Sequence, residues 1–349
     1  MPLSDSDIKD LVTGTLKHLG RLKFNQIATR LQDYEVMQRM MKRDRVQLES
    51  GQGIQRQIMI DHSAAAKNVG LYEVDDVNVR DVLDSISVPF RHTTTNYAFE
   101  RRELAMNRPS PQRILDLLKV RRADAMISLV ERMEEDFWDK PATSTDKVQP
   151  FGIDYWLVSG GGSTGFEGGN PSGFTSGAGG IDSDTVSRWR NYTDRYTDVT
   201  KGDLIKKMRV AYRKIGFKSP VDIPDYRKGR GQNYRIYCDN TTITEMEELG
   251  EAQNENLGRD LATMDDMMTF RRNPLIWVPQ LDDRTVGPTS PVYMVNFSFF
   301  YPVFLRGEYL REGEPRTSAN QHTVMVVHVD LSWNILCTDR RRHALLDKA

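Results

Sequence analysis

The sequence predicts an α+β protein, and three segments carry this prediction. Residues 51–108 contain several runs in which apolar and polar positions alternate, which is typical of half-buried β-strands. Residues 111–138 have apolar positions at helical spacing and no glycine or proline after Pro111. Residues 325–337 place seven apolar side chains on one strand face, whereas an ordinary strand has about five or six residues in all.

The composition is that of a folded, nearly neutral chain. Of 349 residues, 38% are hydrophobic and 28% are charged, and the formal net charge is −1. This length predicts about two domains, and this charge argues against nucleic-acid binding as the main activity. Neither a membrane span nor a signal peptide is recognisable. We therefore expect a chain kept in a cytoplasm-like compartment, with Cys238 and Cys337 as buried structural thiols.

The N-terminal third is predicted to lack a core of its own. Residues 1–50 indicate a polar helical arm, either an ordinary surface helix or an arm that packs on a neighbouring subunit. Residues 51–108 indicate a long two-stranded excursion with a tip near residues 64–70. An isolated ribbon is marginally stable in water. We therefore expect a partner to cover it.

The helix at 111–138 begins with Ser110 as N-cap and Pro111 in the first turn. At 1.5 Å per residue it would be a rod of roughly 42 Å. Its charges oppose the helix macrodipole, because 101–122 holds seven basic and two acidic residues and 131–139 holds five acidic and one basic. Two interpretations are open: a solvated face, or a basic end that meets a neighbouring chain or DNA phosphates.

The glycine-rich segment at 159–180 holds ten glycines without the spacing of a nucleotide-binding loop. We expect a long flexible loop there, not a phosphate cradle.

The C-terminal half predicts a mixed unit. An amphipathic helix follows Asp203 and ends at Gly216, and a strand at 234–238 leads to a second capped helix. Between 245 and 266 there are eight acids and one arginine, which we expect to be a solvated face. The last strand is followed by three arginines at 340–342, expected to form a soluble tail or a partner contact.

In this order of elements the chain resembles the major capsid proteins of tailed bacteriophages, which have the Hong Kong 97-type capsid fold. The resemblance covers almost the whole chain, and local stretches strengthen it. They are Phe-Gly-Ile-Asp-Tyr-Trp at 151–156, Asp-Leu-Ile-Lys-Lys-Met-Arg at 203–209, Phe-Lys-Ser-Pro at 217–220, the acidic stretch at 247–258, and Arg-Arg-Arg at 340–342.

The resemblance implies a division of the chain and a function. The parts would be an N-terminal arm (1–50), an E-loop over an adjacent subunit (51–108), a peripheral domain (109–230) with the spine helix 111–138, an axial domain (231–320), and a returning strand with a basic C-terminus (321–349). Copies would form pentamers and hexamers of an icosahedral shell around double-stranded DNA, assembled in the host cytoplasm and located in the virion. Implied partners are a separate scaffolding protein, a portal, a decoration protein and, non-specifically, the packaged DNA. No catalytic residue, cofactor, metal or membrane is implied.

Eleven basic residues are candidates for contact with neighbouring subunits or DNA. Some members of this fold cross-link a loop lysine to an asparagine of a neighbour, and Lys67 lies near the predicted tip, although such a bond also needs a buried acid. The candidates are Lys67, Arg101, Arg102, Arg108, Arg113, Lys119, Arg121, Arg122, Arg340, Arg341 and Arg342.

Three alternatives remain. Cys238, His328 and Asp330 could contribute to an enzyme site, but no catalytic motif accompanies them. The basic stretch 101–122 could belong to a nucleic-acid-binding module, which salt-dependent DNA binding by the subunit would favour. An encapsulin-like compartment shares the fold, and a co-purifying cargo enzyme would favour it.

Overall fold

The structure is a computed structural model. It describes residues 34–42, 46–61, 67–71, 81–106, 111–216, 234–251, 268–271, 273–282, 284, 287–318 and 321–349, with the backbone alone at 104–106, 111–116, 250 and 251. Most of the predicted arm, part of the ribbon tip and most of the acidic stretch lie outside these residues.

Within the described ranges the chain forms six α-helices and fifteen strands. The helices are α1 (Glu35–Met40), α2 (Arg101–Met106), α3 (Pro111–Trp138), α4 (Ile153–Trp156), α5 (Leu204–Ile215) and α6 (Asn240–Glu251). The strands are β1 (Gln47–Glu49), β2 (Gly53–Met59), β3 (Leu83–Pro89), β4 (Arg91–Glu100), β5 (Gly165–Gly168), β6 (Asn191–Tyr196), β7 (Tyr234–Cys238), β8 (Thr269–Phe270), β9 (Asn273–Trp277), β10 (Val292–Asn296), β11 (Phe300–Leu305), β12 (Arg311–Glu312), β13 (Arg316–Ser318), β14 (Gln321–Cys337) and β15 (Ala344–Lys348).

The described chain divides into two compact units. The first comprises the residues up to 51 together with 90–136 and 303–334, and the second comprises 52–89, 137–302 and 335–349. These divisions differ from the expected ones at 230/231 and 320/321. The reason is strand pairing, because β6, expected in the peripheral domain, joins one sheet with β7 and β10, expected in the axial domain.

The first unit is built around β14. This strand pairs antiparallel with β4 over ten positions, from Val324 opposite Glu100 to Trp333 opposite Arg91. It also pairs with β11, β12 and β13, and β1 lies parallel to β11. The period-2 pattern explains the strand, since alternate side chains from Met325 to Leu331 are buried while His328 is exposed.

Helix α3 has the bounds that the sequence predicted. Its described apolar stripe is buried at Leu118, Ala125, Leu129 and Met133, as expected from helical spacing. None of the described helices is both long enough and apolar enough to cross a membrane.

The second unit contains a seven-stranded sheet with the order β5-β6-β15-β10-β7-β9-β8. Strand β15 lies inside this sheet, parallel to β6 and antiparallel to β10. Helices α5 and α6 bury their apolar sides against the same core, as shown by Met208 and Met246 beside Ile236 and Met294. The predicted helix ending at Gly216 and the strand 234–238 are confirmed.

The ribbon is shorter than predicted. Strands β2 and β3 pair antiparallel from Gly53 opposite Pro89 to Met59 opposite Leu83. The next strand, β4, belongs to the sheet of the first unit, so the expected ribbon end at residue 108 is wrong. The alternating pattern of β4 reflects its pairing with β14, a partner that local sequence does not identify.

Candidate assembly surfaces

The glycine-rich segment holds the root of the ribbon. The N–H of Ser87 in β3 donates to the carbonyl of Gly179 at 2.8 Å. Gly179 has φ +67°, and a Cβ there would lie 2.6 Å from Cγ2 of Ile86 and 3.2 Å from the ring of Trp156. Tyr155 Oη accepts the N–H of Gly179 at 2.8 Å. The segment is therefore a packed support, and the predicted long flexible loop is wrong.

The far end of the ribbon exposes apolar side chains. Met59 and Leu83 lie opposite each other and are 52% and 54% exposed. Beyond them, Val69 is 48% and Leu71 is 90% exposed, and the neighbouring Lys67 is exposed. At the root, by contrast, Ile54, Ile86 and Val88 are fully buried. This gradient makes the ribbon end an apolar surface that the subunit leaves in water.

The basic end of α3 is largely neutralised within the first unit. Arg121 donates to the carbonyl of Ala98 at 2.9 Å and pairs with Glu103 at 2.8 Å. The Arg121 hydrogen bond lowers the pKa of Glu103. Arg122 pairs with Glu312 at 2.5 Å. These two arginines therefore anchor α3 to neighbouring elements of their own subunit.

The other predicted basic residues have different positions. Arg101 and Arg102 are exposed at the start of α2, and Lys119 is half-buried on α3. Arg108 and the side chain of Arg113 lie outside the described part of the chain. Arg101 and Arg102 are the exposed members of the predicted row, and Arg102 lies 3.9 Å from the carboxylate of Glu100.

The acidic end of α3 also has a partner in its own chain. Glu134 is 2% exposed and accepts the N–H of Met37, in the first turn of α1, at 2.9 Å. A carboxylate at a helix N-terminus satisfies a free N–H and complements the helix dipole. One acid of the reversed charge pattern, Glu134, is therefore explained by its contact with α1.

The structure corrects the predicted role of the three arginines after β14. Arg340 is 0% and Arg342 is 1% exposed, so neither faces DNA or forms a soluble tail. Arg340 donates to five oxygens, and burial lowers its pKa to about 10, which leaves it charged at neutral pH. The acceptors are the carbonyls of Trp156 (2.7 Å), Trp189 (2.8 Å), Gly168 (3.2 Å) and Gly169 (2.8 Å) and Oδ1 of Asn191 (3.1 Å).

Their neighbours complete this buried turn. Arg342 pairs with Asp339 at 3.2 Å, and half-buried Arg341 lies over the ring of Phe166 at 4.6 Å. A buried cation with this many acceptors ties the glycine-rich segment to the C-terminal strand. The charge run alone did not reveal this role, because a sequence does not show which carbonyls converge on a guanidinium.

His343 next to this turn should make stability depend on pH. Burial, with Arg340 and Arg342, lowers its pKa from 6.5 to about 3, and its Nδ1 accepts the N–H of Asn296 at 3.1 Å. Below pH 6.5 His343 becomes protonated in the unfolded chain, whereas in the folded chain it stays neutral down to about pH 3. We expect this residue to remove about 2 kcal/mol of stability between pH 7 and pH 5.

Urea unfolding at both pH values measures this dependence. His343→Gln keeps an acceptor for Asn296 and should flatten the pH slope by that amount, whereas His322→Gln, at an exposed position, should leave it unchanged. Equal slopes for the parent and His343→Gln would contradict the prediction.

A second buried network was missed from the sequence. Asp154 accepts from the hydroxyl of Tyr293 and pairs with Arg284 at 2.5 Å. Arg284 also donates to the carbonyl of Trp138 at the end of α3. The sequence offered one signal for this network: Asp154 is the single acid in the apolar run 153–156, and a buried carboxylate requires a partner.

Of the residues considered for catalysis, Cys238 belongs to the second unit, and His328 and Asp330 belong to the first. Burial raises the pKa of the Cys238 thiol, which keeps it protonated and unreactive at neutral pH. Asp330 accepts a hydrogen bond from Thr94 at 2.9 Å across the sheet of the first unit. Among the residues that the structure describes, no group of three or more His, Cys, Asp or Glu side chains could hold a metal ion.

Comparison with known proteins gives a match at the level of structure alone. No protein-family description matches the chain, and no curated protein matches its sequence. Many solved structures match, and three examples each cover nearly the whole chain. They are the capsid asymmetric unit of cyanophage A-1(L) (TM-score 0.65, 12% identity, 95% of this chain and 97% of that one), the capsid of the native GTA particle (0.58, 11%, 95% and 96%) and the capsid of Myoviridae phage XM1 (0.52, 9%, 95% and 98%).

At these identities the likeness establishes the fold. An α+β chain with an extended ribbon, a 28-residue helix and a 17-residue strand matches the capsid subunits along their full length. The chain therefore has the Hong Kong 97-type capsid fold that its sequence predicted.

Proposed function

We propose that this chain is the major capsid protein of a tailed bacteriophage. Copies of it form pentamers and hexamers of an icosahedral shell that encloses packaged double-stranded DNA. The observation that carries the proposal is the whole-length likeness to a phage capsid subunit, 95% of this chain against 97% of that one. The ribbon supports it, because Met59, Leu83 and Leu71 expose apolar surface that another subunit would cover.

In this proposal each unit has a place in the shell. The first unit, with α3 as spine helix and β14 as its long strand, is the peripheral domain. The seven-stranded sheet of the second unit is the axial domain, and β2 with β3 forms the E-loop. This assignment moves the described residues 139–216 from the peripheral to the axial domain, because β6 pairs there with β15.

The exposed basic residues are proposed contacts. Arg101, Arg102 and Lys67 are exposed and would meet a neighbouring subunit or DNA phosphates. Arg121 and Arg122 already have carboxylate partners, which reduces what they can contribute to DNA. A separate scaffolding protein, a portal and a decoration protein are the proposed partners of assembly.

Electron microscopy of the purified full chain, with and without its candidate scaffold, tests the proposal. We expect ring-shaped capsomers or closed shells of uniform diameter. A subunit that stays monomeric under both conditions, at concentrations where related capsids assemble, would overturn the proposed function.

A further inference from the structure

Helix α5 is a strongly basic helix in a nearly neutral protein. Its twelve residues include five lysines and arginines and no acid. Its apolar side, with Leu204, Met208 and Ala211, is buried in the core of the second unit. The opposite side therefore carries the charge into solvent.

Among the described residues, most of these cations have no anionic partner. Lys206, Arg209, Arg213 and Lys214 are exposed and make no ion pair with another described residue. Lys207 differs, because it pairs with Asp203 at 2.6 Å. Four cations on three turns of one helix repel one another, so their proximity does not stabilise the folded subunit. They favour an anionic surface supplied from outside the subunit.

The same chain presents an acidic helix in the same layer. Helix α6 exposes Glu247 and Glu248, which also make no ion pair within the described chain. Helix α5 packs on β6 and β15, whereas α6 packs on β9, farther along the same face of the sheet. Thr242 of α6 lies 3.2 Å from the hydroxyl of Tyr196 in β6, and both helices contribute side chains to one core on this face of the sheet.

A subunit with a basic patch on α5 and an acidic patch on α6 can form a ring through contacts between these two patches. In a head-to-tail ring, one patch of each subunit meets a different patch of the next. We propose that the basic side of α5 docks on the acidic side of α6 of the adjacent copy. This inference rests on the proposed capsomer and names the contact that selects its register. A nucleic acid is a poorer occupant, because a long polyanion on α5 would also approach Glu247 and Glu248.

Charge reversal on either side tests the contact. Arg209→Glu with Arg213→Glu, and separately Glu247→Lys with Glu248→Lys, should each raise the subunit concentration needed for ring formation by about tenfold or more. Arg209→Lys with Arg213→Lys keeps the charge and should assemble like the parent. Thermal unfolding of each variant in its dissociated form checks that folding is retained.

Mixing the two reversed variants gives the sharpest result. Their charges match only in alternation, so the equimolar mixture should recover rings of six subunits and none of five, seen by sedimentation and class-averaged electron microscopy. Reversed variants that assemble alone like the parent would overturn the inference while leaving the proposed function intact. Failure of the mixture, with loss of DNA binding by the α5 variant, would instead assign α5 to nucleic acid. Failure of the parent to assemble would count against the proposed function itself.

Discussion

Replacing Arg340 by methionine is expected to lower the free energy of unfolding of the dissociated subunit by about 3–5 kcal/mol. Methionine fills much of the space but removes the Arg340 donor from five oxygens inside the second unit. Of these, Oδ1 of Asn191 keeps a second donor, the N–H of Val158. Each buried acceptor that loses its partner costs about 1–3 kcal/mol before relaxation. The cost is large because one side chain serves the glycine-rich segment, α4 and β6 together.

Urea unfolding followed by tryptophan fluorescence measures this loss, since the carbonyls of Trp156 and Trp189 both accept from Arg340. Lys201→Met, at an exposed position of the same unit, is the matched control and should change stability by no more than about 0.5 kcal/mol. A change below about 1 kcal/mol for Arg340→Met would show that the guanidinium does not hold these acceptors.

Replacing Met59 and Leu83 by serine is expected to weaken assembly while the subunit stays folded. Each side chain is already about half covered within the subunit, at 52% and 54% exposure. Covering the remainder contributes about 1–1.5 kcal/mol per side chain, so each subunit loses about 2–3 kcal/mol of contact. The subunit concentration required for assembly should therefore rise about 30- to 150-fold.

The exchange Met59→Leu with Leu83→Met is the control, because it preserves apolar area at the same two positions and should assemble normally. Sedimentation across a concentration series measures assembly, and thermal unfolding of the dissociated variants checks the fold. Normal assembly of the serine variant would mean that the ribbon end is not covered in the shell, which contradicts the proposed E-loop.

The elements recovered from the sequence are those with strong local periodicity. Helix α3 has the predicted bounds because its stripe recurs every three or four residues without a breaker. Strand β14 was recognised from alternation and extends four residues earlier than the pattern, to Gln321. Strand β4 was recognised as extended but placed in the ribbon, because alternation shows a strand and not its partner.

The candidate surfaces were predicted less well than the elements. The exposed apolar positions of the ribbon could be predicted, because the ribbon has no core of its own. The roles of charged residues could not, because they depend on neighbours that are distant in sequence. Arg340 and Arg121 look alike in sequence, yet one lies inside the second unit and the other joins α3 to α2 and β4. Glu134, one acid among five at 131–139, is the one that accepts the N–H of Met37 in α1.

Periodicity along the chain was enough to establish the α+β class, the long helix and the long final strand, because each depends on neighbours within a few residues. Tertiary structure decided where those elements pair and which charges are buried. Strand β15 lies between β6 and β10, and Arg340 reaches oxygens about 150–185 positions away in sequence. Contacts over such distances depend on how strands pair and helices pack, and no local pattern of side chains specifies them.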